Sequence, residues 1–166
     1  NLSIDIILCH WALTLMDPVV PVFDSAKRVL KKGGIFAAIV DGDANKAPGY
    51  SEINNIIYKH VRREHPNYGR IELGDPRVRT VEGIHDLATT TFNEPEITIT
   101  PSILSLNASP SILAIEVAGF FYASFVLTAT GYRQMIIDLE NYFFTKIKDE
   151  KSCFNMPVNL LVICKN

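Results

Sequence analysis

The sequence lacks an excess of either charge. Its 166 residues hold 16 Lys and Arg against 18 Asp and Glu, a net charge of -2. No overall basic field therefore draws it to nucleic acid or to an anionic membrane surface. Charged residues make up 20% and hydrophobic residues 48%, which excludes a disordered tail and predicts a folded domain of ordinary size. Cysteine is scarce and odd in number. Cys9, Cys153 and Cys164 stand at no metal-ligand spacing, which argues against a disulfide framework and for a reducing, cytoplasmic compartment. His60 and His65 are five apart, a spacing that does not put both on one helical face, so no zinc pair is expected. There is no repeat, no low-complexity tract, no Ser/Gly linker and no Gly-x-Gly run. One compact unit is the expectation. The chain opens at Asn1 without Met, a basic n-region or a cleavage signature, and enters a strand almost at once. It reads as a piece of a longer polypeptide.

One hydrophobic run approaches the ~20 residues of a bilayer span. From Ile112 to Ala129 nearly every residue is apolar. Glu116 interrupts it, Thr128 dilutes it and no basic cluster flanks it, so a buried helix is expected rather than a membrane segment.

What is present is an alternation of strands and helices. Ser3 to Cys9 is a short aliphatic run of the kind found in strands covered on both faces. Asp17-Pro18 predicts a capped helix start, and Val19, Val22, Phe23, Ala26, Val29 and Leu30 form its apolar stripe. Lys31 and Lys32 suit its negative end and Gly33 its stop. Ile35 to Val40 is a second aliphatic strand, ending in Asp41-Gly42-Asp43. Strand, helix and strand within 1–43 predict parallel strands joined by a right-handed crossover. Further on, Ser51 and Thr80 open helices, Glu96 to Thr100 alternates as a strand that is expected to continue to Leu106 after Pro101, and Ser109-Pro110 opens another helix. Tyr132, Met135, Ile136, Leu139, Phe143 and Ile147 mark an amphipathic helix, and Val158 to Cys164 a last strand.

Asp5-Ile-Ile-Leu-Cys-His-Trp-Ala-Leu13, then Asp17-Pro18, then Arg28-Val-Leu-Lys-Lys-Gly-Gly-Ile-Phe36 resembles the class I S-adenosylmethionine-dependent methyltransferases. The match is to strand four of that fold, the helix after it and strand five. The resemblance implies an α/β fold, the carboxyl-terminal half of a doubly wound Rossmann-like sheet. Residues 1–43 are its strand-helix-strand core and 44–107 its next helices and sixth strand. Residues 108–150 are an extra helical insertion, and 156–165 the closing strand, antiparallel between strands five and six. Ala118-Gly119-Phe120 also resembles the approach to strand six, so 120–129 competes with 96–106 for that strand, and the alternation of Ile97-Thr98-Ile99 favours the latter. The family's glycine-rich loop and the acidic residue ending its second strand are missing from this chain. It therefore supplies one side of a cofactor crevice, which in such sheets lies outside the carboxyl ends of the strands.

The resemblance implies S-adenosylmethionine as cofactor and a small-molecule methyl acceptor. Cys9, His10 and Trp11, at the end of strand four, are the candidate cofactor contacts, through backbone and through the Trp11 ring beside a sulfonium. His10 is a candidate general base, imidazole being the usual proton acceptor near neutral pH, and equally a hydrogen-bonding wall. Asp41, at the end of strand five, is a candidate catalytic or substrate-orienting carboxylate, or a turn residue. Tyr50 and Arg77 are substrate candidates, Arg77 as a bidentate fork for a carboxylate. Tyr50 reads equally as a surface aromatic, and His60 as a satisfied core residue. Six cations against three acids between Lys59 and Arg79 suit an acidic ligand or, more simply, a solvated face. The alternative to an enzyme is a non-catalytic binding or assembly module of the same fold. In either case the open edge of strand four is expected to self-associate or to be found with the rest of its polypeptide.

Overall fold

The computed structural model describes residues 2–69, 74–93, 95–121 and 123–166; Arg70 and Glu72, two members of the charged stretch, lie outside them. The chain runs β1 (Ile4–His10), α1 (Val20–Val29), β2 (Leu30–Asp41), α2 (Tyr50–Glu64), α3 (Val81–Thr91), β3 (Glu96–Ala108), α4 (Pro110–Phe120), α5 (Ala129–Phe144) and β4 (Ser152–Cys164). The four strands form one sheet in the order β1-β2-β4-β3. β1 pairs parallel with β2, with Leu8 beside Ala37 and His10 beside Ile39. β4 pairs antiparallel with β2, with Ile35 opposite Cys164 and Asp41 opposite Val158. The parallel relation was expected from two aliphatic runs joined by a helix, and the antiparallel one is what the family resemblance implied. Glu96 to Leu106 is a strand and Pro110 onward a helix, and the described residues of 120–129 form no strand.

The chain divides into two compact units. The first comprises Asn1–Asp43, Glu72–Ser102 and Pro157–Asn166. Its core lies between one face of the sheet and helices α1 and α3. Phe36, Val40, Leu161 and Ile163 point inward to meet Phe23, Ile84 and Leu87, as the two-residue period of a strand and the helical stripe require. Lys165 Nζ donates to the carbonyls of Lys27 at 2.6 Å and Leu30 at 2.7 Å, capping the end of α1 with a cation. The second unit comprises Ala44–Ile71 and Ile103–Met156. There Ile53, Ile57 and Val61 of α2, Leu113 and Val117 of α4, and Met135, Leu139 and Phe143 of α5 are buried.

Several local expectations need correction. α1 starts at Val20 rather than after Asp17; the Asp17-Pro18 peptide is cis. The first helical hydrogen bonds run to the Val19 carbonyl, and it is Pro21 that occupies the first turn, where its missing N–H costs nothing. Gly33 has the left-handed φ of 74° that its turn demands, but inside β2 rather than past α1. Between Ile4↔Leu30 and Ile6↔Ile35, two steps along β1 match five along β2. Lys31 to Gly34 is thus a bulge that lets an aliphatic strand follow the helix without a loop. β1 is covered on one face only. Ile7 and Cys9 pack on the core, whereas Ile6 is 57% and Leu8 79% exposed, because β1 is an edge strand with no helix over its other face among the described residues of this unit. The apolar run from Ile112 to Ala129 is not one helix. α4 stops at Phe120, and Thr128 caps α5 by accepting from Gly131 N. No helix among the described residues is long and apolar enough to cross a membrane.

Candidate functional site

Two parallel neighbours, β1 and β2, end side by side, and the turns beyond them are tied to one another. Past His10 the chain bends sharply: Trp11 has φ of 53°, and its backbone N–H donates to the Ile39 carbonyl at 3.0 Å. The Trp11 ring is thereby placed so that Nε1 donates to Asp41 Oδ1 at 2.9 Å. The His10 and Trp11 rings meet edge to face with centroids 4.7 Å apart. Thr14 Oγ1 closes the turn by donating to the Trp11 carbonyl at 3.0 Å. An indole N–H on a carboxylate is a charge-assisted bond, stronger than a neutral one. It fixes both Trp11 and Asp41 at the carboxyl ends of the strands.

The structure brings Cys9, His10, Trp11 and Asp41 together. Cys9 is half-buried with its side chain packed against the core, so what it offers to the strand ends is backbone. His10 is exposed. Asp41 is engaged by Trp11, which makes the tie between strand ends a function the carboxylate performs in the structure itself.

The other two candidates are placed differently. Arg77 belongs to the first unit, and its guanidinium forks onto Asp75, with Nη2 to Oδ2 at 2.6 Å and Nε to Oδ1 at 3.0 Å. The Arg77 fork, burial and the Arg77 backbone N–H act on the Asp75 carboxyl with the fork dominant, holding it below the ordinary aspartate range. The carboxylate that Arg77 recognises is therefore two residues away in its own chain. Tyr50 belongs to the second unit, where it begins α2. Its ring packs on Phe121 at 5.8 Å and nearly parallel to Phe154 at 6.2 Å, inside an aromatic cluster rather than alone on the surface.

Sequence reasoning missed the parts that hold the strand ends in place. Asn159, 4% exposed on β4, donates from Nδ2 to the Asp41 carbonyl at 3.2 Å. Gly42 N donates to the Pro157 carbonyl at 3.0 Å, and a Cβ on Gly42 would stand 2.7 Å from Val158 N. Only glycine permits that approach. Asp75 N donates to the Met16 carbonyl at 2.9 Å, and Gly74, with φ of 70°, lies so close to Thr14 that a Cβ would collide with its carbonyl. Gly74 and Asp75 thus buttress the loop after β1. Paired glycine and aspartate at Gly42 and Gly74 were the only visible signals.

Away from the strand ends, His60 is 3% exposed and its Nε2 meets Asp138 Oδ2 at 2.7 Å, as expected of a satisfied core histidine. That hydrogen bond is the main cause holding the Asp138 carboxyl below the ordinary aspartate range. No group of three or more His, Cys, Asp or Glu side chains able to hold a metal occurs among the described residues.

No protein-family model matches this sequence, and no curated protein sequence does. Solved structures do. A protein of Bacillus halodurans assigned as a methyltransferase matches 99% of this chain at 13% identity and a TM-score of 0.51. The YcgJ protein of Bacillus subtilis matches 100% of it at 13% identity and 0.52. Loganic acid methyltransferase with S-adenosylhomocysteine matches 100% of it at 11% identity and 0.56. The fold is that of the class I S-adenosylmethionine-dependent methyltransferases. The chain spans 65%, 65% and 63% of those three structures, less than two thirds of each.

Proposed function

We propose that this chain is the carboxyl-terminal portion of a cytoplasmic enzyme that transfers the methyl group of S-adenosylmethionine to a small-molecule acceptor. The observation that carries the reading is the Trp11–Asp41 bond, which fixes an aromatic wall at the strand ends where ligands of open α/β sheets lie. A TM-score of 0.56 to a methyltransferase with S-adenosylhomocysteine supports the cofactor class. The backbone of Cys9 and His10 and the ring of Trp11 would hold the methionyl side of the cofactor, which supplies an electrophilic methyl on sulfur. His10, exposed beside Trp11, is the chain's candidate proton acceptor for an acceptor that must be deprotonated. Asp41 acts by orienting Trp11, and Tyr50 and Arg77 are assigned to packing and loop support.

The exposed Ile6 and Leu8 on the outer strand β1 favour a longer assembly in which another segment of the same polypeptide covers that edge. The same edge supports the second reading, a non-catalytic module that docks through it. Calorimetric titration of the full-length polypeptide with S-adenosylmethionine separates the two. Saturable heat is expected for the enzyme. No heat at millimolar ligand leaves only the module.

A further inference from the structure

Charge in the first unit is sorted along its strands. Lys27, Arg28, Lys31, Lys32 and Lys165 gather where β2 begins and β4 ends, Lys165 on the Leu30 carbonyl and Lys31 on Asp5 at 2.9 Å. The loops at the other end are acidic. Residues 11–19, 41–43 and 74–80 hold Asp17, Asp41, Asp43 and Asp75 against Arg77 and Arg79. The Arg77 guanidinium is forked on Asp75, so its charge is matched inside its own loop.

At that acidic end one carboxylate oxygen is open. Asp41 is half-buried, and its Oδ1 accepts from Trp11 Nε1 at 2.9 Å. Its Oδ2 has no partner among the described residues. A carboxylate partly withdrawn from water and short of one hydrogen bond takes a cationic N–H donor in preference to a neutral or anionic group. Two neighbours suit the same guest. Trp11, held by Asp41 itself, is the aromatic side chain on which a cation rests most favourably. His10 is exposed, with its ring edge to face on Trp11 at 4.7 Å, and imidazole is the side chain suited to taking up a proton near neutral pH.

We propose that the methyl acceptor is an amine, bound as its ammonium between Asp41 Oδ2 and the Trp11 ring. This rests on the methyl-transfer reading above and adds the acceptor atom to it. The charge pattern selects that class. A carboxylate or phosphate acceptor would set like charge against Asp41 and would find Arg77 already closed on Asp75. For transfer, the ammonium gives one proton to His10. The freed lone pair on nitrogen then forms the N–CH3 bond as the S–CH3 bond breaks. The electron pair of the broken bond stays on sulfur, leaving a methylated ammonium, an imidazolium and a neutral thioether.

Calorimetry on the full-length polypeptide tests this with probes that share a ring and differ in charge: benzylammonium, benzyl alcohol and benzoate. S-adenosylmethionine is titrated first, and no heat there overturns the methyl-transfer reading and the amine with it. With S-adenosylhomocysteine bound, benzylammonium is expected to bind about tenfold or more tightly than either other probe. Asp41→Asn keeps an oxygen for Trp11 Nε1 and removes the charge. It should weaken benzylammonium by about tenfold while leaving benzyl alcohol where it was. Asp24→Asn, at an exposed position on α1, should change neither. If the cofactor binds, three results overturn the amine alone: no preference for benzylammonium over the other probes, no benzylammonium heat at about 10 mM, or a preference that survives Asp41→Asn.

Discussion

Two ring-nitrogen-to-carboxylate contacts among the described residues are of nearly equal length, and they do different work. His60 and Asp138, 2.7 Å apart, join α2 to α5 in the second unit. Trp11 and Asp41, 2.9 Å apart, join the ends of two parallel strands in the first. The histidine is 3% exposed; the tryptophan is half-buried beside an exposed histidine. Hydrogen-bond geometry alone therefore does not mark a site. What separates the pairs is location: one satisfies a histidine that packing has already enclosed, through an aspartate 32% exposed, and the other holds side chains where a sheet offers a ligand space.

The two pairs should differ in how much the fold loses without them. His60→Ala removes a buried ring, opens a cavity and leaves Asp138 without its partner, and should cost about 2–4 kcal/mol in guanidinium unfolding. A cost near zero would mean that α2 and α5 hold together without the pair. Gly42→Val tests the strand end itself. With Val158 N only 2.7 Å from the added Cβ, β2 and β4 must part, at about 1–3 kcal/mol, and Trp11 fluorescence should shift because Asp41 moves too. Trp11→Phe keeps an aromatic ring, a smaller one, and deletes the N–H. It should cost about 1 kcal/mol or less of stability yet weaken S-adenosylmethionine binding to the full-length polypeptide by roughly tenfold, measured by calorimetry. If affinity is unchanged, Trp11 is only a packing residue.

The smallest effect concerns pH. Asp138 has a depressed carboxyl in the folded state, chiefly through the His60 hydrogen bond. Its contribution is present above the ordinary aspartate value of about 3.9 and is lost as pH falls through the lower folded value. The stability gap between wild type and Asp138→Asn should therefore shrink on acidification below about pH 4. A gap that widens instead would contradict the depressed assignment.

Local patterns read from the sequence held where neighbours in the chain are neighbours in space. The aliphatic runs ending at Cys9 and Val40 became paired strands, because burial of Phe36, Ala38 and Val40 on a shared face needs only the strand period. Residues 9–11 and 41 were placed at the strand ends for the same reason. Contacts across long separations stayed hidden. Tyr50 gave no sign of Phe121 and Phe154, and Asp41 none of Asn159, which lies 118 positions away. Arg77 was legible as a fork, but nothing in the sequence marked Asp75, two residues before it, as the carboxylate it holds. At Gly33 the backbone conformation was right and the element wrong, since a left-handed residue ends a helix and kinks a strand equally well.

The order of the strands bears on how the polypeptide is made. The first unit draws on residues 1–43 and on 157–166, and β4 is the strand that lies between β2 and β3. During synthesis the nascent chain must therefore carry β2 with a vacant flank until all of the second unit has left the ribosome. The helices of residues 44–71 and 103–156 can meet in the meantime, reversing the usual order in which amino-terminal segments settle first. Closure of the sheet waits for β4, and a ribosome stalled before Pro157 would hold out an adhesive β2 that chaperones must shield.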